Sequence, residues 1–284
     1  MSKRRAVNVP NCVIISDLHV GCQMGLCPPE GFALDGGGRY APSRLQRIVW
    51  SYWREFWDEW VPTVCRGDPY SVVVNGDAVD GQHHDCNTSI SNLADQAKAA
   101  KGILLDLKSR ADGRLYIVRG TEAHEGKTAM DMERVAQQVG ALPDRDGRYS
   151  RPDLRLRIGN ARAHIMHHIG TTSSSAHEAS AVNAELTAEF VEAARWGSRP
   201  PDFVVRSHRH RFSAVDIDTV RGIGAGIVTP GWQLKTPFTY RLAGARVAPP
   251  QFGGVLLRAG DEEHYYRRMV WSLQQTKETL NGSA

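Results

Sequence analysis

Five stretches carry the aspartates and histidines that could do chemistry together: Ser16-Asp17-Leu18-His19, Asn75-Gly76-Asp77-Ala78-Val79-Asp80, Gly120 through His124-Glu125, His167-His168, and Ser207-His208-Arg209-His210. Each stands at or just after a short apolar run. Carboxylates and imidazoles gathered from strand ends across a whole chain are the donors that hold two divalent cations side by side. Asp17 and His19 are two residues apart, so an extended chain turns both to one side, where they can clasp a cation. Asp77 follows Gly76, whose missing side chain lets backbone and cation come close. His208 and His210 repeat the two-residue spacing after Phe203-Val204-Val205, and imidazoles buried there need partners that a metal provides. Such a mixture of hard oxygens and borderline nitrogens suits manganese, iron, zinc, nickel or magnesium better than calcium, with manganese the first expectation.

The elements that must position these groups can be read from periodicity. Cys12 to Ser16, Ser71 to Val74 and Leu115 to Val118 are branched, apolar runs of strand length. Between them, Ser43 with Gln46 forms a capping-box pattern. It opens a helix whose Leu45, Ile48, Val49, Tyr52, Trp53, Phe56, Trp57 and Trp60 recur at helical spacing until Pro62. That aromatic stripe reads as core packing. A second helix is expected from about Ser89 to Arg110 and a third from Met130 to Val139. The segments 154–158, 161–168, 203–207, 212–217 and 253–258 read as strands, interrupted by a helix from about Ala176 to Trp196. Alternating strands and helices followed by mostly strands predict an α/β fold with two central mixed sheets flanked by helices, with the candidate ligands at strand carboxyl ends. The run Thr229 to Pro237 reads as a packed crossover rather than a substrate loop.

At 284 residues and 41% hydrophobic the chain can bury a large core. One domain over 1–284 is expected, with a Gly/Pro-rich insertion at about 20–42 and a C-terminal extension from about 240. The basic start, Met1 to Arg5, leads into no signal-peptide core or membrane-length apolar stretch, so the expected location is cytoplasmic, with no membrane partner. Five cysteines in irregular spacing fit free thiols, and Cys22 and Cys27 lack a nearby second pair for zinc. A net charge of +4 permits an anionic substrate without demanding nucleic acid.

In this order the five stretches resemble the calcineurin-like metallophosphoesterases, whose pattern runs Asp-x-His, Gly-Asp-x-x-Asp, Gly-Asn-His-Asp/Glu, a lone His, then Gly-His-x-His. The match covers residues 12 to 212. The resemblance implies a four-layer α/β-β/α sandwich and two divalent metals held by Asp17, His19, Asp77, either His167 or His168, His208 and His210, with Asp77 bridging. It also implies phosphoester hydrolysis by an activated water. His124 would contact the phosphate and protonate the leaving oxygen, oriented by Asp80 or Glu125. Two departures stand out. The loop Gly120-Thr121-Glu122-Ala123-His124 is two residues longer than the family's and lacks its Asn, so Glu122 is expected to serve as the ligand there. Ser207 replaces the usual Gly. Gly81 follows Asp80 where the family's protein phosphatases carry Arg, which turns the expectation toward a phosphodiesterase acting on nucleotides or nucleic acid. The Gly120–His124 loop and the Trp232 run also look like those of phage- or prophage-borne members. A phosphomonoesterase and a non-catalytic binding descendant are the alternatives. His164, His83, His84 and His177 are left as structural or substrate-proximal.

Overall fold

The computed structural model describes residues 9–34, 36–83, 87–170, 175–242, 248–260 and 263–273. His84 and Cys86, and parts of the C-terminal region, lie outside them. In chain order the strands are β1 (Asn11–Ile15), β2 (Phe32–Ala33), β3 (Arg39–Tyr40), β4 (Tyr70–Asn75), β5 (Leu115–Val118), β6 (Ser150–Arg151), β7 (Leu154–Ile158), β8 (Ala161–Ile165), β9 (Phe203–Arg206), β10 (Ser213–Thr219), β11 (Gly222–Val228), β12 (Gln251–Ala259) and β13 (His264–Ser272). The α-helices are α1 (Arg44–Glu55), α2 (Val61–Cys65), α3 (Leu93–Arg110), α4 (Glu122–Glu125), α5 (Met130–Val139) and α6 (Ser180–Arg195).

Among the described residues β13-β12-β1-β4-β5-β6 form one mixed sheet, β10-β11-β9-β8-β7 a second, and β2-β3 a small hairpin within the Gly/Pro-rich insertion. The two large sheets stack face to face. Cys12, Ile14, Val73, Val118, Val255 and Leu257 meet Ala163, Ile165, Phe203, Val205, Ala225 and Ile227 between them. The alternate residues Val13, Ile15, Val72, Val74, Leu115 and Ile117 point the other way, against Trp53, Phe56, Trp57, Ala97, Leu104 and Met132 of the helical layer. Burial on both faces is why β1 and β4 read as unbroken apolar runs instead of alternating ones. The second sheet's outer face is covered by α6 through Val182. The order helices, sheet, sheet, helix is the expected α/β sandwich, with a thin fourth layer.

Several boundaries differ from the sequence reading. The first helix does not stop at Pro62. A π-helical segment, Phe56–Trp60, intervenes, and Pro62 then opens α2 in its first turn, where its missing N–H costs nothing. The following helix begins at Leu93, because Asn92 caps the Ala94 and Asp95 amides. The C-terminal region is no appendage: β12 pairs with β1 inside the first sheet, in register Cys12 with Leu257 and Ile14 with Val255. No described helix is long and apolar enough to cross a membrane.

Candidate metal centre

The carboxyl ends of the parallel strands β1, β4 and β5 and of the parallel pair β8 and β9 converge, and the candidate residues follow directly after them. Among the described residues eight non-glycines adopt positive φ, and five of these are Asp17 (56°), His19 (46°), Asp77 (49°), His208 (72°) and His210 (53°). A left-handed residue outside glycine costs on the order of 1–3 kcal/mol and persists only where its surroundings impose it. Here the strand-end loops impose it through backbone bonds from Asp17 N to Gly76 O (3.1 Å) and from His19 N to Asp77 O (3.0 Å). The left-handed turn folds each side chain back over its strand end, toward the same point.

Two groups of donors result. In the first, His210 Nε2 lies 3.1 Å from Asp17 Oδ1 and 3.1 Å from His19 Nε2. In the second, His167 Nε2 is 2.9 Å and His208 Nδ1 3.9 Å from Asp77 Oδ2. Asp77 also groups with His19 and His124, and so stands between the two sets. Asp17 Oδ1, Asp77 Oδ2 and His167 Nε2 are buried and make no hydrogen bond of proper geometry. Buried carboxylate oxygens that have only ion-pair contacts with His210 and His167 still lack well-formed hydrogen bonds, and with His167 Nε2 they face one space that suits a positive partner. The donor set and these atoms fit divalent cations.

The other atoms of the same side chains are fixed from behind. His167 Nδ1 donates to Asn75 O at 2.6 Å, which directs Nε2 inward. Asp77 Oδ1 accepts from Thr121 N at 2.8 Å, and Gly120 admits this approach because a Cβ there would lie 2.0 Å from that oxygen. His19 Nδ1 lies 3.1 Å from Asp80 Oδ1. Ser16, Thr229 and Ser207 hydroxyls form a chain with 2.7 Å links that Asn75 Nδ2 extends at 2.7 Å, tying β1, β9 and β4 together under the site.

The electrostatics are those of closely packed aspartate–histidine pairs. Burial alone would raise Asp17 and Asp77, yet His210 and His167 around the first, and His167 and His208 around the second, hold both well below the usual carboxylate range. Burial would depress His19, but Asp17 and Asp80 outweigh it and push it up to about 9. His167 is likewise carried to about 10 by Asp77 and Asp17 against burial. His124 falls to about 4, through burial and the neighbouring His19.

The structure brings together Asp17, His19, Asp77, Asp80, His124, His167, His208 and His210. It separates the choice between neighbours: His167 faces inward, whereas His168 is exposed, its ring 5.1 Å from that of His208. Glu122 is a correction. It is exposed at the first position of the one-turn helix α4 and belongs to none of the donor groups. Of the two residues expected to orient His124, Asp80 is the one that meets it, chiefly through its backbone: His124 Nδ1 lies 2.5 Å from Asp80 O and 4.0 Å from Asp80 Oδ1. Glu125 is buried and its carboxylate hydrogen-bonds to no side chain; burial, then Asp77, raises it to about 7. His164 is structural, paired with Glu189 of α6. Thr121, Gln96 and Gln233 were missed. Gln96, fully buried in α3, accepts from Gly81 N (2.7 Å) and donates to Gly81 O (3.0 Å) and Ile90 O (2.8 Å), fixing the turn after Asp80. Its only sequence signal is a polar residue next to Ala97 on the apolar face of a helix.

No protein-family model and no curated protein sequence matches the chain. Among solved structures it is similar to Vacuolar Protein Sorting 29 from Cryptosporidium parvum, at 12% identity and TM-score 0.36, covering 93% of this chain and 98% of that one. A metallophosphoesterase from Sphaerobacter thermophilus matches at 10% identity and TM-score 0.38, over 91% of this chain and 88% of the other. A Thermotoga maritima protein solved in solution matches at 10% identity and TM-score 0.34, over 93% and 100%. The site's own geometry carries the reading that follows.

Proposed function

We propose that this chain is a metal-dependent phosphoester hydrolase of the calcineurin-like type, acting on phosphodiesters of the nucleotide or nucleic-acid class. The observation that carries the reading is the convergence, with His19, His208 and His210, of the buried Asp17 Oδ1, Asp77 Oδ2 and His167 Nε2, which make ion-pair contacts but no hydrogen bond of proper geometry. Asp17, His19 and His210 would hold one divalent ion and Asp77, His167 and His208 the other, with Asp77 placed to serve both. Bound there, the ions would supply an acidified water and neutralise charge on the phosphoryl group.

The chain's own residues do the rest. His124 is depressed to about 4 and its Nδ1 proton is directed to the Asp80 carbonyl, so at neutral pH its Nε2 is an acceptor, 3.7 Å from Asp77 Oδ2. By taking up a proton from solvent water at Nε2, His124 can then deliver that same proton to the leaving oxygen and return to its neutral form. Preference for a diester is supported by Gly81. Its φ is 74° and a Cβ there would lie 2.5 Å from His124 O, so the position cannot present a cationic side chain to a phosphate dianion. Nearby cations are committed elsewhere: Arg211 pairs with Glu178, and Arg209 donates to the Glu178 and Gly170 carbonyls. A monoanionic diester needs less neutralisation.

The test compares bis-p-nitrophenyl with p-nitrophenyl phosphate at saturating manganese, before and after chelation. Faster, chelator-sensitive diester turnover is expected. Equal or greater monoester turnover would overturn the substrate class, and the absence of any metal-dependent hydrolysis would overturn the activity.

A further inference from the structure

The segment from Thr229 to Leu234 is the one sequence motif that the hydrolytic site has not absorbed, yet it is braced on that site at several points. Trp232 is fully buried and its amide donates to Asp17 O at 2.9 Å; the Leu234 amide donates to Met24 O at 2.7 Å. Gly231 lies so close that a Cβ there would be 3.0 Å from Asp17 Cβ and 3.1 Å from the His210 ring. Between these anchors the segment delivers Gln233, buried and aimed at the site, whose Nε2 donates to Asp80 Oδ1 at 3.2 Å. That is the same oxygen that faces His19 Nδ1 at 3.1 Å.

We propose that Gln233 is a positioning residue for the first cation position: its amide holds the Asp80 carboxylate in the rotamer that fixes His19, so that His19 Nε2 points at Asp17 and His210. The inference rests on the metal-binding reading above. An amide suits the task better than a cation or a hydroxyl. It is neutral, so it leaves the carboxylate's charge available to His19, and it is long enough to reach from the segment. The carboxylate also settles which end of the amide faces it, since only the NH₂ can donate. Partners of this kind behind a metal-ligating imidazole typically change metal affinity by about 10–100-fold. The segment touches Asp17, His210 and Asp80 but makes no described hydrogen bond to Asp77, His167 or His208, so one position should feel the loss and the other should not.

Manganese binding by isothermal titration calorimetry on the full chain, with thermal unfolding of the metal-free protein beside it, tests this. Gln233→Met keeps the volume and removes the donor; Gln233→Glu sets a second carboxylate against Asp80 and serves as the second variant should the first not fold. The expected result is two equivalents of manganese in the wild type. In Gln233→Met the Kd of one equivalent should rise about 10–100-fold, and in Gln233→Glu further still. The second equivalent and the metal-free unfolding midpoint of Gln233→Met should stay close to wild type. Unchanged affinity for both equivalents would overturn the assignment, as would equal weakening of both together with a lowered metal-free midpoint, the mark of a merely structural residue. A wild-type chain that binds no manganese would instead overturn the metal-binding reading, and this inference with it.

Discussion

Asp77 is the carboxylate shared by two groups of donors: its Oδ1 is held by Thr121, its Oδ2 faces His167 and His208, and it also groups with His19 and His124. Asp77→Asn removes the charge and keeps the shape, so hydrolysis should be abolished and metal content should fall toward one or none per chain, as read by elemental analysis. His124→Ala should keep both metals and lose roughly 10²–10⁴-fold in rate, the range for one proton-transfer group. Substrates with poor leaving groups should lose more than nitrophenyl esters. Glu125 gives a different expectation, because burial keeps it protonated up to about 7. A carboxyl raised in the folded state contributes stability that is whole below its unfolded value near 4.5 and is lost as pH rises through about 7. Glu125→Gln should therefore be nearly neutral for the metal-free protein at pH 4.5. At pH 8 it should be stabilising by on the order of 3 kcal/mol, at about 1.4 kcal/mol per tenfold. Thermal melts at the two pH values measure the difference.

Among the elements, β11 shows how a site can be supported from a distance. Gly224 and Gly226 let α6 lie directly on the strand, and a Cβ on Gly226 would sit 3.0 Å from Val182 O. Gly226→Val should cost about 1–3 kcal/mol of stability by overpacking. Turnover at a temperature where the variant remains folded should barely change, which melts and assays on the same sample would show. The same glycines explain why β11 escaped the sequence reading: Gly222-Ile-Gly-Ala-Gly carries turn formers where a strand was needed. β13 escaped because Arg267 and Arg268 interrupt its alternation on an open edge. By contrast β1, β4 and β5, buried on both faces, were legible from composition alone, and with them the positions of Asp17 and Asp77. His167 could not be told from His168 because the two follow the end of β8, where side-chain alternation no longer decides direction. Glu122 misled because residue type signalled a ligand while the one-turn helix around it, too short to leave a periodic pattern, set its direction.

For the molecule as a whole, any cation bound at these groups would compete with protons for the same atoms. His19 and His167, raised to about 9 and about 10, are imidazolium ions in the metal-free protein at neutral pH. Their contribution to its stability is full below about 6.5, the ordinary histidine value, and is lost as pH climbs through 9 and 10. Cations must displace those protons, so metal affinity should rise with pH over that window. Calorimetry in two buffers of different ionisation enthalpy should detect proton release on binding at pH 7.5. The left-handed backbone at Asp17, His19, Asp77, His208 and His210 carries this competition one step further. In the absence of a cation the chain still holds five residues in left-handed backbone, a strain that its other contacts must offset. Glycine at any one of these positions would relieve strain. A lineage selected for durability alone, with metal scarce or hydrolysis idle, would thus be expected to shed its ligands first while keeping the sandwich.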